Sequence, residues 1–142
     1  MMTGSQKEKS NFIQVSENNF LCSLLSFSFF AEKAKAKAAI IESCTGGYLS
    51  AALTKLSGSS RWFDCGMITY SNEAKGRFLN VDQEVLQEHG AVSFEVAKAM
   101  VNGLKQRDSS HKKIYLSITG ICGPTGANKI KPIGLVYFCC GI

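Results

Sequence analysis

A serine hydroxyl at the end of a predicted strand is the first feature that could do chemistry. Ser43 follows the apolar run 38–41, and Gly46 and Gly47 lead from it into an amphipathic helix pattern. This order predicts a strand, a tight turn and a helix capped by Thr45. The turn would place the Ser43 hydroxyl beside unpaired backbone N–H groups, which can hold a phosphate, a carboxylate or an oxyanion. The stretch therefore predicts a nucleophile beside an anion-binding turn.

A second polar cluster follows the strand-like run 66–68. Ser71 is expected to cap a short helix in which Lys75 lies about one turn from the start. The long lysine stem can bring the amine back over the strand ends, so Lys75 and Ser43 are expected to meet. A lysine with its ordinary pKa of about 10.4 is a poor base at neutral pH. Burial, or positive charge from Arg77, must therefore lower the pKa of this amine if it is to act as a base.

A glycine-rich stretch, 120–126, follows the third strand pattern. Its glycines, which include Gly120 and Gly123, allow the backbone to approach a ligand closely. We expect this loop, together with Thr119 at the strand end, to cradle a ligand. A plain tight connection is the alternative, because the same glycine spacing also serves ordinary turns.

Six cysteines and two histidines bear on metal and thiol chemistry. No Cys-x-x-Cys is present, and the cysteines are expected to be free and mostly buried thiols. Cys44 is a rival nucleophile, because a thiol at a helix N-terminus is activated. It points away from Ser43 in a strand-like alternation and has no histidine near it in sequence, which favours a bystander thiol. The two histidines have no suitable ligand spacing, so no metal is expected.

Composition limits the class of protein and of partner. The 142 residues fit one domain with an ordinary core, and the net charge of +5 is scattered rather than striped with aromatic residues. This pattern disfavours nucleic-acid binding and leaves small anionic ligands open. The apolar run 21–30 is too short to span a bilayer, and a helix packed on the sheet is preferred to a signal peptide. We therefore expect a cytoplasmic protein with no membrane contact.

The order of the predicted elements indicates the fold. Residues 1–18 show no periodicity and are expected to form a disordered tail. Helices are predicted at 20–36, 46–56, 72–79, 82–88 and 94–107, and strands at 38–41, 65–70, 113–119 and 134–140. The alternation predicts a three-layer α/β/α sandwich around a mixed, mostly parallel sheet, formed by a single domain over 19–142.

Five motifs in order give a resemblance to a known family. The stretches 42–47, 70–75, 89–93, 119–124 and 131–134 resemble the CinA C-terminal-domain family, whose members include nicotinamide-nucleotide amidases of the PncC type. The resemblance implies deamidation of nicotinamide mononucleotide to nicotinate mononucleotide and ammonia, with no cofactor. It also implies that Ser43 attacks the carboxamide, Lys75 takes the hydroxyl proton and Tyr70 relays or orients that proton. The residues expected to bind the substrate or its oxyanion are Thr45, Gly46, Gly47, Arg77, Thr119, Gly120 and Gly123.

The chain also departs from the family pattern. Members normally continue past the strand matching 134–141 with a further strand and a long helix, which this domain is expected to lack. An open sheet edge and an uncovered apolar face would favour pairing into a homo-oligomer. Two alternatives to the amidase stay open. One is a nucleotide-binding domain without turnover, and the other is an interaction module associated with competence or DNA damage.

Overall fold

A four-stranded sheet between two helical layers forms the part of the protein that the structure describes. The structure is a computed structural model, and it describes residues 16–108 and 112–142. In chain order the elements are α1 Glu17–Ala34, β1 Lys37–Glu42, α2 Tyr48–Thr54, a 3-10 turn Ser59–Arg61, β2 Phe63–Ile68, α3 Asn72–Leu79, α4 Gln83–His89, α5 Phe94–Arg107, β3 Lys113–Gly120 and β4 Val136–Gly141.

The sheet is mixed and mostly parallel. Its strand order is β2-β1-β3-β4, in which β1 runs parallel to β2 and β3, and β4 runs antiparallel to β3. Glu42 at the end of β1 pairs with Ile68 on one side and Ile118 on the other. The carboxyl ends of the three parallel strands therefore meet at one edge, which is where open α/β sheets place their ligands. The predicted three-layer α/β/α class is confirmed.

Strand β1 is the centre of the core because both of its faces are covered. Alternate residues Ala38 and Ile40 pack toward α1 and α2, while Ala39 and Ile41 pack toward α3, α4 and α5. All four are fully buried. A strand buried on both faces reads as a continuous apolar run, which explains the unbroken pattern at 38–41.

Side-chain caps fix several helix starts. Ser71 accepts a hydrogen bond from the Ala74 N–H, and Ser93 accepts one from the Val96 N–H. Such caps satisfy the first free N–H groups of a helix. Helices 72–79 and 94–107 accordingly begin and end where the sequence predicts.

Several boundaries differ from the prediction, and three of them bear on the predicted tail and the site. Helix α1 begins at Glu17 with Ser16 as its cap, so the last three residues of the predicted tail belong to the helix and its cap. Residues 1–15 of the predicted tail lie outside the described residues. Helix α2 begins at Tyr48 rather than 46, because Gly46 and Gly47 adopt left-handed backbone conformations with φ of 60° and 100°. Strand β2 ends at Ile68, so residues 69 and 70 lie in the connection beyond it.

Candidate active site

The ends of β1 and β2 bring a hydroxyl and an amine together. Ser43 is the first residue after β1, and its N–H donates to the Ile118 carbonyl at 3.0 Å. Lys75 Nζ lies 3.0 Å from Ser43 Oγ. The Ser43 residue is 6% exposed and Lys75 is 0% exposed. The meeting of these two side chains, expected from two separate motifs, is present in the structure.

Burial and two backbone carbonyls surround the amine of Lys75. Its Nζ also lies 2.9 Å from the carbonyl oxygens of Thr69 and Tyr70. Burial holds the pKa of Lys75 below its ordinary 10.5, and only the nearby Cys44 opposes this shift. A neutral amine has two N–H bonds and one lone pair. When the amine is neutral and both of its N–H groups donate to the two carbonyls, its lone pair can accept the proton of the Ser43 hydroxyl.

Arg77 does not take part in this arrangement. Its guanidinium lies over the Phe78 ring, 4.4 Å from the ring centre, on an exposed part of α3. It does not line the cavity beside Ser43. The expectation that Arg77 lowers the pKa of Lys75 or binds substrate is therefore not supported, because the side chain of a residue two positions after Lys75 leaves the helix on a different face.

The turn predicted to bind an anion is filled by the chain's own carboxylate. Glu42 is fully buried. Its Oε2 accepts from the Thr45 hydroxyl at 2.7 Å and from the Gly47 and Leu49 N–H groups at 3.1 Å. Its Oε1 accepts from the Ser50 N–H at 2.8 Å and the Ser50 hydroxyl at 2.6 Å. The start of α2 is thus closed to an external anion.

This finding corrects three of the expected site residues. Gly47 donates to Glu42, the Gly46 N–H donates to the Ser43 carbonyl at 3.1 Å, and Thr45 binds Glu42 instead of capping α2. Burial alone would raise the pKa of Glu42, but the hydrogen bonds from Ser50, Thr45 and the α2 backbone hold it below 4.5. Glu42 therefore stays ionised and organises the turn that follows Ser43.

A cavity of about 480 Å³ opens above Ser43 and Lys75. Loops at the ends of β1, β2 and β3 line it, together with the connection between α4 and α5. Tyr70 also lines it but is 71% exposed, and within the described residues its hydroxyl makes no hydrogen bond to Ser43 or Lys75. The structure therefore places the Tyr70 ring at the rim and uses its backbone carbonyl to hold the amine.

The glycine-rich loop forms another wall of the cavity, as expected for a ligand-binding loop. Thr119, Gly120 and Gly123 all line it, and the Thr119 hydroxyl donates to the Ala91 carbonyl at 2.8 Å. A Cβ at Gly120 would stand 2.7 Å from the Leu135 carbonyl oxygen, closer than real Cβ atoms approach. Gly123 has a φ of 76°, which a residue with a Cβ rarely adopts. Both glycines are therefore required by the shape of the wall.

Lys131 is a cavity residue that the sequence reasoning missed. Its Nζ donates to the carbonyls of His89 and Val92 at 2.6 and 2.7 Å, which ties the β3–β4 connection to the α4–α5 connection. Lys131 lies in the motif 131–134, and its two partners lie in the motif 89–93. The sequence therefore contained both motifs, but it gave no role to Lys131. Lys131 lines the cavity, and no carboxylate does so among the described residues. The cavity is therefore suited to a ligand with negative charge.

Comparison with known proteins identifies the family. The family model described as "CinA C-terminal domain" matches residues 26–142. The chain belongs to the CinA C-terminal-domain family.

Relatives and solved structures agree with this assignment. A "CinA-like protein" from Syntrophomonas wolfei is 52% identical over 103 residues, which are 72% of this chain and 24% of that protein. The competence-damaged protein (CinA) superfamily structure from Escherichia coli is 28% identical, with a TM-score of 0.81 over 98% of this chain and 80% of that one. A competence/damage inducible protein from Agrobacterium tumefaciens is 36% identical, with a TM-score of 0.75 over 84% of this chain and 72% of that one. The chain thus spans about a quarter of the length of the curated relative it matches.

The cysteines of this CinA domain are free but not buried. Cys22, Cys122 and Cys140 are exposed, and the other three are partly exposed. The expectation of mostly buried thiols was wrong, because these residues lie on α1, in a loop and on strands at or near the sheet edges. Burial and the neighbouring Cys122 raise the pKa of Cys44 to about 11, so its thiol is not an activated nucleophile.

Two further findings concern metals and membranes. Within 16–108 and 112–142, no group of three or more His, Cys, Asp or Glu side chains could hold a metal ion. No helix in the described part of this CinA domain is long and apolar enough to cross a membrane.

Proposed function

We propose that this CinA domain hydrolyses the carboxamide of nicotinamide mononucleotide to give nicotinate mononucleotide and ammonia. One observation carries the proposal: the buried amine of Lys75 lies 3.0 Å from the Ser43 hydroxyl, at the inner end of a cavity. A hydroxyl activated by an adjacent base is the arrangement that amide hydrolysis through a covalent intermediate needs. The substrate is the one that the family resemblance implies.

The proposed chemistry uses the serine and the lysine twice. Ser43 Oγ attacks the carboxamide carbon while Lys75 Nζ takes the hydroxyl proton. The C–N bond then breaks, and Lys75 returns the proton to the leaving nitrogen, which departs as ammonia. In the second half, Lys75 takes a proton from water, the hydroxide attacks the ester carbon, and the proton returns to Ser43. The products are the free acid and the regenerated hydroxyl.

The backbone supplies the proposed oxyanion contact. Glu42 occupies the N–H groups at the start of α2, whereas the Cys44 N–H donates no hydrogen bond to another of the described residues. Cys44 follows the nucleophile directly and lines the cavity, and the N–H at that position commonly contributes to an oxyanion hole. Lys131 lines the cavity, and none of the described lining residues carries a carboxylate. This lining suits the phosphate group of a mononucleotide.

Ammonia release tests this proposal. Purified protein with nicotinamide mononucleotide and a chelator should release ammonia, measured continuously by a coupled assay. Ser43→Ala should lose several powers of ten in turnover with little loss of binding, because the hydroxyl acts mainly in the transition state. Cys44→Ala is the matched control and should keep most activity, since only its N–H is used. Full activity in Ser43→Ala would overturn the mechanism.

A nucleotide-binding domain without turnover is the second candidate. The observation that favours it is the Glu42 carboxylate, which removes N–H groups that an oxyanion hole would otherwise use. Isothermal titration with nicotinamide mononucleotide separates the two candidates. Binding heat without ammonia release would support the binder, and binding with ammonia release would support the amidase.

A further inference from the structure

Two cysteines lie together at the wall of the cavity, next to Ser43. Cys44 follows β1 and Cys122 follows β3, so the two residues come from neighbouring strands. The Cys122 Sγ lies 3.5 Å from the Cys44 carbonyl oxygen, and both residues line the cavity. A Cβ at Gly120 would be 3.1 Å from the Cys44 Sγ, so this thiol packs closely against the end of β3.

The other four cysteines are not arranged in this way. Cys22 lies on α1 and Cys65 on β2, while Cys139 and Cys140 are consecutive residues of β4. Consecutive strand residues point to opposite faces of a sheet, so the last two thiols diverge. Cys44 and Cys122 both line the cavity, and the Cys122 thiol contacts the Cys44 backbone carbonyl.

We propose that Cys44 and Cys122 are a modification site, in which a peroxide or a small disulfide oxidises the two thiols to a reversible disulfide that closes the cavity beside Ser43. The linkage itself is independent of the proposed function. Its effect on ammonia release rests on that function.

The oxidation balances with hydrogen peroxide as the two-electron oxidant. The exposed Cys122 thiol gives up its proton, and its sulfur attacks one peroxide oxygen. The O–O bond breaks, the sulfur becomes a sulfenic acid, and the departing hydroxide takes up the proton and leaves as water. The Cys44 thiol then loses its proton and attacks the Cys122 sulfur, forming the S–S bond and expelling a second water. A small disulfide gives the same bond by two exchange steps, with its two halves released as thiols.

The disulfide would alter the cavity next to the nucleophile. An S–S bond is about 2.05 Å long, so the two sulfurs must approach and the Cys122 contact with the Cys44 carbonyl must be lost. This movement draws the glycine-rich wall toward Ser43. It also fixes the backbone of Cys44, whose N–H is the proposed oxyanion donor. A narrowed cavity should bind and turn over substrate poorly until a reductant restores the thiols.

Mass spectrometry tests the linkage directly. The full chain is treated with hydrogen peroxide under native, dilute conditions, alkylated, digested and mapped with and without reduction. We expect an intramolecular Cys44–Cys122 crosslink, seen as a loss of about 2 Da that dithiothreitol reverses. Cys122→Ser should lack this crosslink, and Cys65→Ser is the matched control that should retain it. Other pairings, intermolecular links alone, or sulfinic acid without a disulfide would overturn the proposal.

Ligand binding and turnover provide a second readout, with each variant compared before and after peroxide. The wild type should lose at least tenfold in ammonia release or nucleotide affinity and recover with dithiothreitol, whereas Cys122→Ser should lose much less. A mapped crosslink with no change in either quantity would overturn the effect on the cavity. A protein that never releases ammonia fails the proposed function but still reports the disulfide by mass.

Discussion

Replacing Glu42 with glutamine tests how the turn after Ser43 is held. The Glu42 carboxylate accepts five hydrogen bonds, three from backbone N–H groups and two from the hydroxyls of Thr45 and Ser50. A glutamine keeps one acceptor oxygen but turns an NH₂ group toward two or three of these donors. Hydrogen bonds to charged groups contribute about 1.5–3 kcal/mol each, and leaving buried donors unpaired adds to the loss. We expect Glu42→Gln to lower the free energy of unfolding by about 3–5 kcal/mol.

Urea titration measures this loss, and two control variants calibrate it. Thr45→Val removes a single hydrogen bond to the Glu42 carboxylate and should cost about 1.5–3 kcal/mol. Glu73→Gln changes an exposed carboxylate in the first turn of α3 and should stay within about 0.5 kcal/mol of the wild type. A loss below about 1 kcal/mol in Glu42→Gln would refute the idea that this carboxylate organises the turn.

The same variant should abolish a pH dependence. The pKa of the Glu42 carboxyl is lower in the folded protein than its ordinary 4.5. Its contribution is therefore fully present above the unfolded pKa and is lost as the pH falls through the folded pKa. The stability difference between wild type and Glu42→Gln should be constant from pH 7 to about pH 5 and shrink below that. A difference that does not change on acidification would contradict the assignment.

Three further predictions concern the amine, the rim and the surface. Lys75→Arg should lose ammonia release nearly as completely as Lys75→Ala, because arginine stays charged near neutral pH; near-normal rates would show that only charge is needed. Tyr70→Phe should raise KM several-fold and keep kcat, since its hydroxyl lies at the rim of the cavity. A loss confined to kcat would instead support the proton-relay role of Tyr70 that the resemblance implies. The exposed side chains of Phe29 and Phe138 favour self-association, so size-exclusion chromatography with light scattering should show a concentration-dependent oligomer, and a strict monomer with a sharp, high-temperature melt would contradict this.

The sequence predicts best the parts of the site that depend on local signals. The apolar run at 38–41 and the Ser71 cap specify a strand end and a helix start, and these two elements bring Ser43 and Lys75 together. The buried strand and the helix cap leave few alternatives for the backbone, so both side chains were correctly placed.

The parts that the sequence did not predict depend on contacts between distant or competing groups. Glu42 and an external anion compete for the same N–H groups of α2, and only the folded geometry shows that the carboxylate fills them. Lys131 reaches the carbonyls of His89 and Val92, about forty residues away in the chain. Tyr70 was placed inside a strand, but β2 ends two residues earlier, which leaves the ring at the rim.

The most direct test of the account is the protonation of Lys75 in the folded protein. NMR titration of lysine labelled with ¹³C at Cε, with Lys75→Arg used to assign the signal, reports the pKa of this amine. Because burial disfavours the ammonium form, the account predicts a pKa below 10.5 and a rate of ammonia release that rises with pH through the same value. A Lys75 that titrates at or above 10.5, or a rate that does not follow its titration, would contradict the claim that this amine activates Ser43.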